Sequence, residues 1–350
     1  MLNKRKTLSR NFLPHNKLGQ GETSPKITLA HGNGGRLMHE LIERFRLKLS
    51  NKILDEMADA AEFNINKNRF AFSTDSYVVK PLFFPGGDIG KLAVCGTVND
   101  LAVKGAKPLF MSVAFIIEEG LKISVLDKIV ESVKKASGKA KVQIVTGDVK
   151  VVEKGSADKI FINTSGLGFI DSKHSIGTKA KAGDIIIING EIAEHGIAIL
   201  NARENLGFRS KIKSDCANIN FGIERCLKVS KRISVMRDPT RGGLATTLNE
   251  IAKASNLGIE VYEKDIPIKT SVKKICDILA FDPLYIANEG KFVSFVSKND
   301  ASRVRSAIGK KARIIGEVVK SHRKEVHLKT TIGSSRILPM LESDQLPRIC

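Results

Sequence analysis

Apolar positions along the chain switch between a helical and a strand-like period, and the switches mark out its elements. Residues 35–49 (GRLMHELIERFRLKL) put Leu37, Leu41, Ile42 and Phe45 on one helical face. Residues 26–30 (KITLA) read as a strand before them, broken by HGNGG at 31–35. RFAFSTDSYVV at 69–79 reads as a strand running into Asp75, and DIGKLAVCGTVNDLAVKGA at 88–106 as a helix whose small residues invite close packing. PLFMSVAFII at 108–117 reads as a buried strand. Ile123, Leu126, Ile129, Val130 and Val133 then line a helix. KVQIVTGD reads as a strand ending at Asp148, followed by the strand KIFINTSGLGFI at 159–170.

Between Asp171 and Asp184 the chain turns polar and glycine-bearing, which places a domain boundary there. Beyond it come a strand at 184–190, a helix from EHGIAIL, a polar helix around GIERCLKVSK and the stretch VMRDPTRGGLATTLNEIAKAS. A helix at 271–279 and strands from KFVSFVS, RIIGEVV and VHLKTTI complete the second unit. Strands and helices mix without a strict βαβ order, so both halves read as α+β. The division is 1–25 as a disordered basic extension, 26–172 and 173–336 as two domains, and 337–350 as a flexible tail with two prolines and no periodicity.

Composition narrows this picture. Tryptophan is absent and aromatics make up 5% of the chain, so the cores must be aliphatic. No apolar run is long enough to span a membrane, and the N-terminus lacks the apolar stretch of a secretory signal. Five cysteines (95, 216, 226, 276 and 350) form no CxxC pair, which points to a reducing cytoplasm rather than a disulfide scaffold. Cys95, Cys216, Cys226 and Cys276 read as structural. The formal charge of +20 invites a nucleic-acid reading, but the lysines are spread along the chain with no zinc finger, RNP motif or aromatic-interleaved patch. A solvated basic surface explains them better.

Four features carry candidate chemistry. Asp75, Asp100, Asp148 and Asp238 stand at the edges of different elements, where carboxylates could together hold Mg²⁺ and a nucleotide's phosphates. Each alone is equally a cap or turn residue. The loop Gly32-Asn33-Gly34-Gly35 precedes a helix and could cradle phosphate on its amides, yet it is neither a Walker A nor a Rossmann sequence. DPTRGG, with Thr240 and Arg241, also leads into a helix. Lys150 and Glu289 are isolated polar groups. A partly buried Glu289 could serve as a base or merely form a salt bridge. The chain ends on Cys350, behind Pro347, which keeps the tail extended. An extended chain advances about 3.3 Å per residue, so this arm can cross a cleft.

Taken in order, LAHGNGGRLMHELI, STDSYVV, CGTVNDLAVKGAKP, VTGDVKVVEKG, NTSGLG, MRDPTRGGLATTLNEIA, ANEG and the terminal LPRIC resemble the HypE hydrogenase maturation factors. These belong to a superfamily with aminoimidazole ribonucleotide synthetase, selenophosphate synthetase and thiamine-monophosphate kinase. The resemblance runs from about Lys26 to Cys350. It implies a two-domain α+β synthetase fold, an N-terminal sheet that pairs with its copy in a homodimer, and ATP in a cleft at the dimer. It further implies that Cys350 accepts a carbamoyl group from the carbamoyltransferase HypF. ATP with Mg²⁺ would then dehydrate the thiocarboxamide to a thiocyanate, whose cyanide passes to iron held by HypC–HypD for a [NiFe] hydrogenase. By that resemblance Asp75, Asp100, Asp148 and Asp238 hold Mg²⁺–ATP, and Asn99, Thr240 and the His31–Gly35 loop contact the nucleotide. Glu289 and Lys150 flank the thiocarboxamide. A kinase or synthetase of the same superfamily acting on a free small molecule is the alternative. The absence of any cysteine before Cys95 counts against a selenophosphate synthetase. A basic nucleic-acid scaffold ranks lower, because it gives the aligned carboxylates no role.

Overall fold

A computed structural model describes residues 26–32, 34–174, 176–206, 212–341, 346 and 348–350. The basic extension, Asn33 of the glycine loop, and Pro347 with residues 342–345 of the tail lie outside the described residues.

The first half contains α1 (Arg36–Leu49), β1 (Ala61–Ile65), β2 (Asn68–Tyr77), the two-residue strands β3 (Phe83–Phe84) and β4 (Gly87–Asp88), and α2 (Ile89–Val103). It continues through β5 (Ala106–Glu118), α3 (Ile123–Ala140), β6 (Gln143–Val152) and β7 (Ile160–Ile170). Its five-stranded sheet runs β1-β2-β7-β5-β6. The parallel pair β5–β6 is joined by α3, a βαβ crossover inside an otherwise antiparallel sheet. Asp88 caps α2 by accepting the Gly90 and Lys91 amides at 2.9 and 3.1 Å. The small residues of α2 do what they promised: Gly96 passes the Tyr77 hydroxyl so closely that a Cβ there would lie 2.1 Å from it.

The second half contains β8 (Asp184–Ile188), α4 (Glu194–Glu204), α5 (Asn220–Val229), β9 (Ile233–Arg237), α6 (Gly243–Ser255), β10 (Gly258–Tyr262) and α7 (Thr270–Leu279). It ends with β11 (Val293–Ser297), α8 (Ala301–Ile308), β12 (Arg313–Val319), β13 (Val326–Lys329) and β14 (Ser335–Ile337). Its seven-stranded sheet runs β14-β13-β10-β12-β8-β11-β9. The main core is aliphatic and continuous between the halves: α2 contributes Leu92 and Val98, α6 contributes Leu244 and Leu248, and β11 contributes Phe295. Among the described residues no helix is long and apolar enough to cross a membrane.

Four expectations change. Lys26–Ala30 is not a strand; Leu29–Gly32 closes as a short 3-10 helix, and the segment joins none of the sheets among the described residues. The apolar face of α1 is not buried, and Phe45 and Leu49 are exposed. The strand at 143 does not stop at Asp148 but runs on to Val152. The end of the tail is not loose: Leu338, Leu341, Leu346 and Ile349 are buried.

Gly166 of β7 faces α2, and a Cβ there would sit 2.7 Å from Thr97 Cγ2 and 2.8 Å from Leu101 Cδ1. Gly166→Val is expected to lower stability by about 1–3 kcal/mol through overpacking. Gly138→Ala on α3, where a Cβ meets nothing within 4 Å, is expected to be neutral or slightly stabilising. Thermal unfolding of both variants checks this.

Candidate active site

The polar heart of the molecule lies where β2, α2 and the loop after β9 converge. Asp75 sits on β2, Asp100 near the end of α2, and Asp238 directly after β9. Asp59, which the sequence reading missed, joins them from just before β1. One carboxylate oxygen each of Asp59, Asp100 and Asp238 lies within 4.8 Å of the others. Ser73 donates to Asp100 at 2.6 Å, and Tyr77 donates to Asp75 at 3.1 Å.

So many carboxylates in one buried patch disfavour their own ionisation. Burial, then the charge of Asp59, pushes Asp238 up to about 8. Burial raises Asp59 to about 6 despite the Arg237 guanidinium 2.6 Å away. Asp100 is raised well above the carboxylate range by burial and by Asp75, Asp238 and Asp59; Asp75 is raised by burial. Arg237 also pairs with Glu250 at 2.9 Å, and His39 of α1 meets the other Glu250 oxygen at 2.8 Å. This chain ties α1, and so the glycine loop before it, to the carboxylate cluster. The cluster fits a hard divalent cation: it offers clustered oxygen ligands whose charge is otherwise suppressed.

The glycine loop and DPTRGG meet directly. Gly34, at φ +79°, packs so tightly on Arg241 that a Cβ would lie 2.9 Å from its backbone. Arg241 donates to the Gly32 carbonyl at 3.0 Å. Gly243, at φ +61°, lets the start of α6 lie against the 284–286 backbone, where a Cβ would come 2.6 Å from the Leu284 carbonyl. Thr240 stands half-buried between Asp238 and Arg241, its amide bonded to the Asp238 carbonyl at 3.0 Å. Gly35 caps α1 in extended conformation.

Glu289 is 3% exposed, and burial followed by the charges of Asp238, Asp215 and Asp75 raises its carboxyl well above the usual range. Asp215 fixes its backbone by accepting the Glu289 and Gly290 amides at 3.2 Å each, while pairing with Lys291 at 3.0 Å.

The tail enters this site. The Val78 amide donates to a Cys350 carboxylate oxygen at 3.2 Å and the Lys80 amide to the Arg348 carbonyl at 3.3 Å, a short antiparallel pairing beyond β2. Arg348 donates to the Val78 carbonyl at 3.1 Å and to Asp158 at 2.9 Å. His195, whose pKa burial lowers, lies with Nε2 2.7 Å from the Ile349 carbonyl and Nδ1 2.7 Å from Ser214 Oγ. Cys350, Ile349, His31, Gly32, Val78 and Arg241 line a cavity of about 300 Å³. Arg241 is the electrostatic link, with its protonated form favoured by the Cys350 carboxylate, Asp75 and Glu289.

Two predicted site residues lie away from the cluster within this chain. Asp148 and Lys150 sit on the exposed edge strand β6, paired with each other rather than with Asp100 or Glu289. The strand continues past Asp148 and carries Lys150 with it. Asn99, next to Asp100, is 1% exposed: it donates to the Ala217 and Glu289 carbonyls at 3.1 and 3.4 Å and accepts the Ile219 amide at 3.0 Å. It therefore fastens the two halves together. A separate cavity of about 1000 Å³ opens among Lys107, Lys141, Phe221 and Arg232 and contains none of these site residues.

The paired α+β halves with an acidic cluster between them define an AIR synthase related protein. Residues 57–170 match the N-terminal domain of that family and residues 181–329 its C-terminal domain. The chain is 46% identical over 332 residues to the carbamoyl dehydratase HypE of Bradyrhizobium diazoefficiens, covering 93% of this chain and 96% of that protein. It resembles a chain in the crystal structure of a HypE–HypF complex (TM-score 0.82, 48% identity, 87% of this chain and 100% of that one). It also resembles a crystal structure of HypE in complex with ATP (TM-score 0.79, 43% identity, 93% and 100%). The chain belongs to the HypE family of carbamoyl dehydratases.

The raised carboxyls carry a pH prediction. The folded state holds protons on Asp238 up to about pH 8 and on Asp59 up to about pH 6, whereas the unfolded carboxyls release them near 3.8. The folded state thus binds more protons in that window, and stability contributed by the cluster falls as pH rises through it. In chelator, the melting temperature should drop between pH 5 and 8, less so in Asp238→Asn, and Mg²⁺ should restore part of it.

Proposed function

We propose that this chain dehydrates a carbamoyl group carried on its own C-terminal cysteine, using ATP, and so makes a thiocyanate as a cyanide source for hydrogenase iron. The observation that carries the reading is the seating of Cys350 in the cavity formed by His31, Gly32 and Arg241, beside the acidic cluster.

An amide oxygen leaves poorly. Transfer of the terminal phosphoryl group of ATP to the oxygen of Cys350–S–C(O)NH₂ makes it a phosphate ester. Loss of both nitrogen protons and departure of phosphate leaves Cys350–S–C≡N. The balance is thiocarboxamide plus ATP giving thiocyanate, ADP, phosphate and a proton. Asp59, Asp75, Asp100 and Asp238 would hold Mg²⁺, which supplies charge neutralisation at the phosphates. The glycine-loop amides and Thr240 face the nucleotide. Arg241 steadies developing negative charge near the sulfur. Glu289, ionised once a bound cation neutralises the charge of Asp238 and Asp75 around it, takes a nitrogen proton.

A homodimer accounts for Lys150. The edge strand β6 exposes Val145, Val149 and Val151, and the neighbouring strands expose Phe72, Phe110 and Ile116. A second copy laid along this face covers them and brings its Lys150 and Asp148 towards this chain's site. HypF is the carbamoyl donor and HypC–HypD the iron carrier in this reading, and the reduced state that Cys350 requires suits the cytoplasm.

The test is the mass of the C-terminal peptide after co-production with a carbamoyltransferase, with and without Mg²⁺–ATP. A carbamoyl adduct on Cys350 that loses one water only with ATP is expected. Glu289→Gln should keep the adduct but slow the loss by about 10²-fold or more. An unmodified Cys350 alongside ATP turnover on a free small molecule would overturn the proposal.

A further inference from the structure

The turn between β12 and β13 carries side chains that the proposed reaction does not use. His322, Glu325 and His327 each offer one ligand atom, and the three atoms lie within 4.8 Å of one another. His327 Nε2 is 2.8 Å from Glu325 Oε2, and the His322 and His327 rings stack at 3.9 Å between centroids. None of these residues belongs to the carboxylate cluster or the tail cavity.

The backbone that presents them is set by its own hydrogen bonds. The Lys324 amide donates to the Leu257 carbonyl at 3.0 Å, the Glu325 amide to the His322 carbonyl at 3.0 Å, and the Ile259 amide to the Glu325 carbonyl at 3.0 Å. The turn lies so close to Gly258 that a Cβ there would fall 2.0 Å from the Ser321 carbonyl oxygen. His327 stands on β13, its side chain only 13% exposed. His322 and Glu325 are exposed, so their rotamers can adjust around that anchor.

We propose that this turn binds a divalent transition metal of the zinc, nickel and copper class through His322, Glu325 and His327, with solvent completing the coordination. Two imidazoles and one carboxylate select these metals over Mg²⁺ and Ca²⁺, which require an all-oxygen shell. Ligand bonds of about 2.0–2.2 Å need ligand atoms roughly 3.4 Å apart in a tetrahedron, so His327 and Glu325, now 2.8 Å apart, open slightly while His322 swings to the ion. The exposed His322 ring turns out of its stack to aim its lone pair at the ion. Lys320, Arg323 and Lys324 flank the turn and oppose a cation, but all are exposed and screened by solvent. Their effect is to moderate affinity rather than prevent binding.

The test is calorimetric titration of the full chain with Zn²⁺ alone, repeated with Ni²⁺. Saturable binding of one ion per chain is expected at this turn. His327→Ala should weaken it at least about 10-fold, since a removed ligand costs no less than a disturbed one. His322→Ala, an exposed change that leaves the fold intact, should weaken it as well, and Cys350→Ala should not. The proposal fails if the wild-type chain shows no saturable binding. It also fails if the His322→Ala/His327→Ala double variant binds as the wild type does, or if Cys350→Ala abolishes binding and so assigns the ion to the tail thiol.

Discussion

Desolvation of clustered carboxylates, with their repulsion added to it, is the constraint on which the rest of this structure depends. Asp59, Asp75, Asp100 and Asp238 share one patch, and all are pushed towards their neutral forms. Desolvated like charges destabilise a fold unless something offsets them. Arg237 offsets part on one side, itself held by Glu250, and Arg241 offsets part on the other. What remains is a demand for positive charge that a divalent cation meets. The same two arginines hold the flanking pieces in place: Arg237 reaches α1 through Glu250 and His39, and Arg241 reaches the glycine loop.

The tail answers a second constraint, that the reacting sulfur must visit more than one place. Burying Leu346 and Ile349 is worth about 3–6 kcal/mol in gross hydrophobic free energy. Ordering the last few residues costs about 1–2 kcal/mol each. The two nearly cancel, leaving the hydrogen bonds from His195, Val78 and Lys80 and the Arg348–Asp158 pair to decide the balance. A tail held by so small a margin can be docked for chemistry and still be released to a partner.

The sequence disclosed those parts of the site whose signals are local. HGNGG, VNDLA, DPTRGG and ANEG announce themselves through glycine and acidic residues at element ends, and three of the four predicted carboxylates, Asp75, Asp100 and Asp238, do converge. Asp59 was invisible because DEMADAAEF contains no glycine and no period; it becomes functional only when Arg237 is folded against it. The full run of the strand that carries Asp148 and Lys150 was not legible, because the end of a strand depends on its partner, and β5 extends β6 to Val152. The motif around Asn99 did not disclose that its amide also ties α2 to the second half of the chain. The tail looked loose because its partners, Val78, Asp158 and His195, lie far away in sequence.

The account stands on the coupling of nucleotide use to the carried group. The most direct measurement is the single-turnover yield of ADP from chains with carbamoylated Cys350, set against unmodified chains and a Cys350→Ser variant. The account predicts one ADP per carbamoyl group and almost none from the other two. Equal ADP formation by the Cys350→Ser chain would show that the cluster serves a free substrate, and would contradict it.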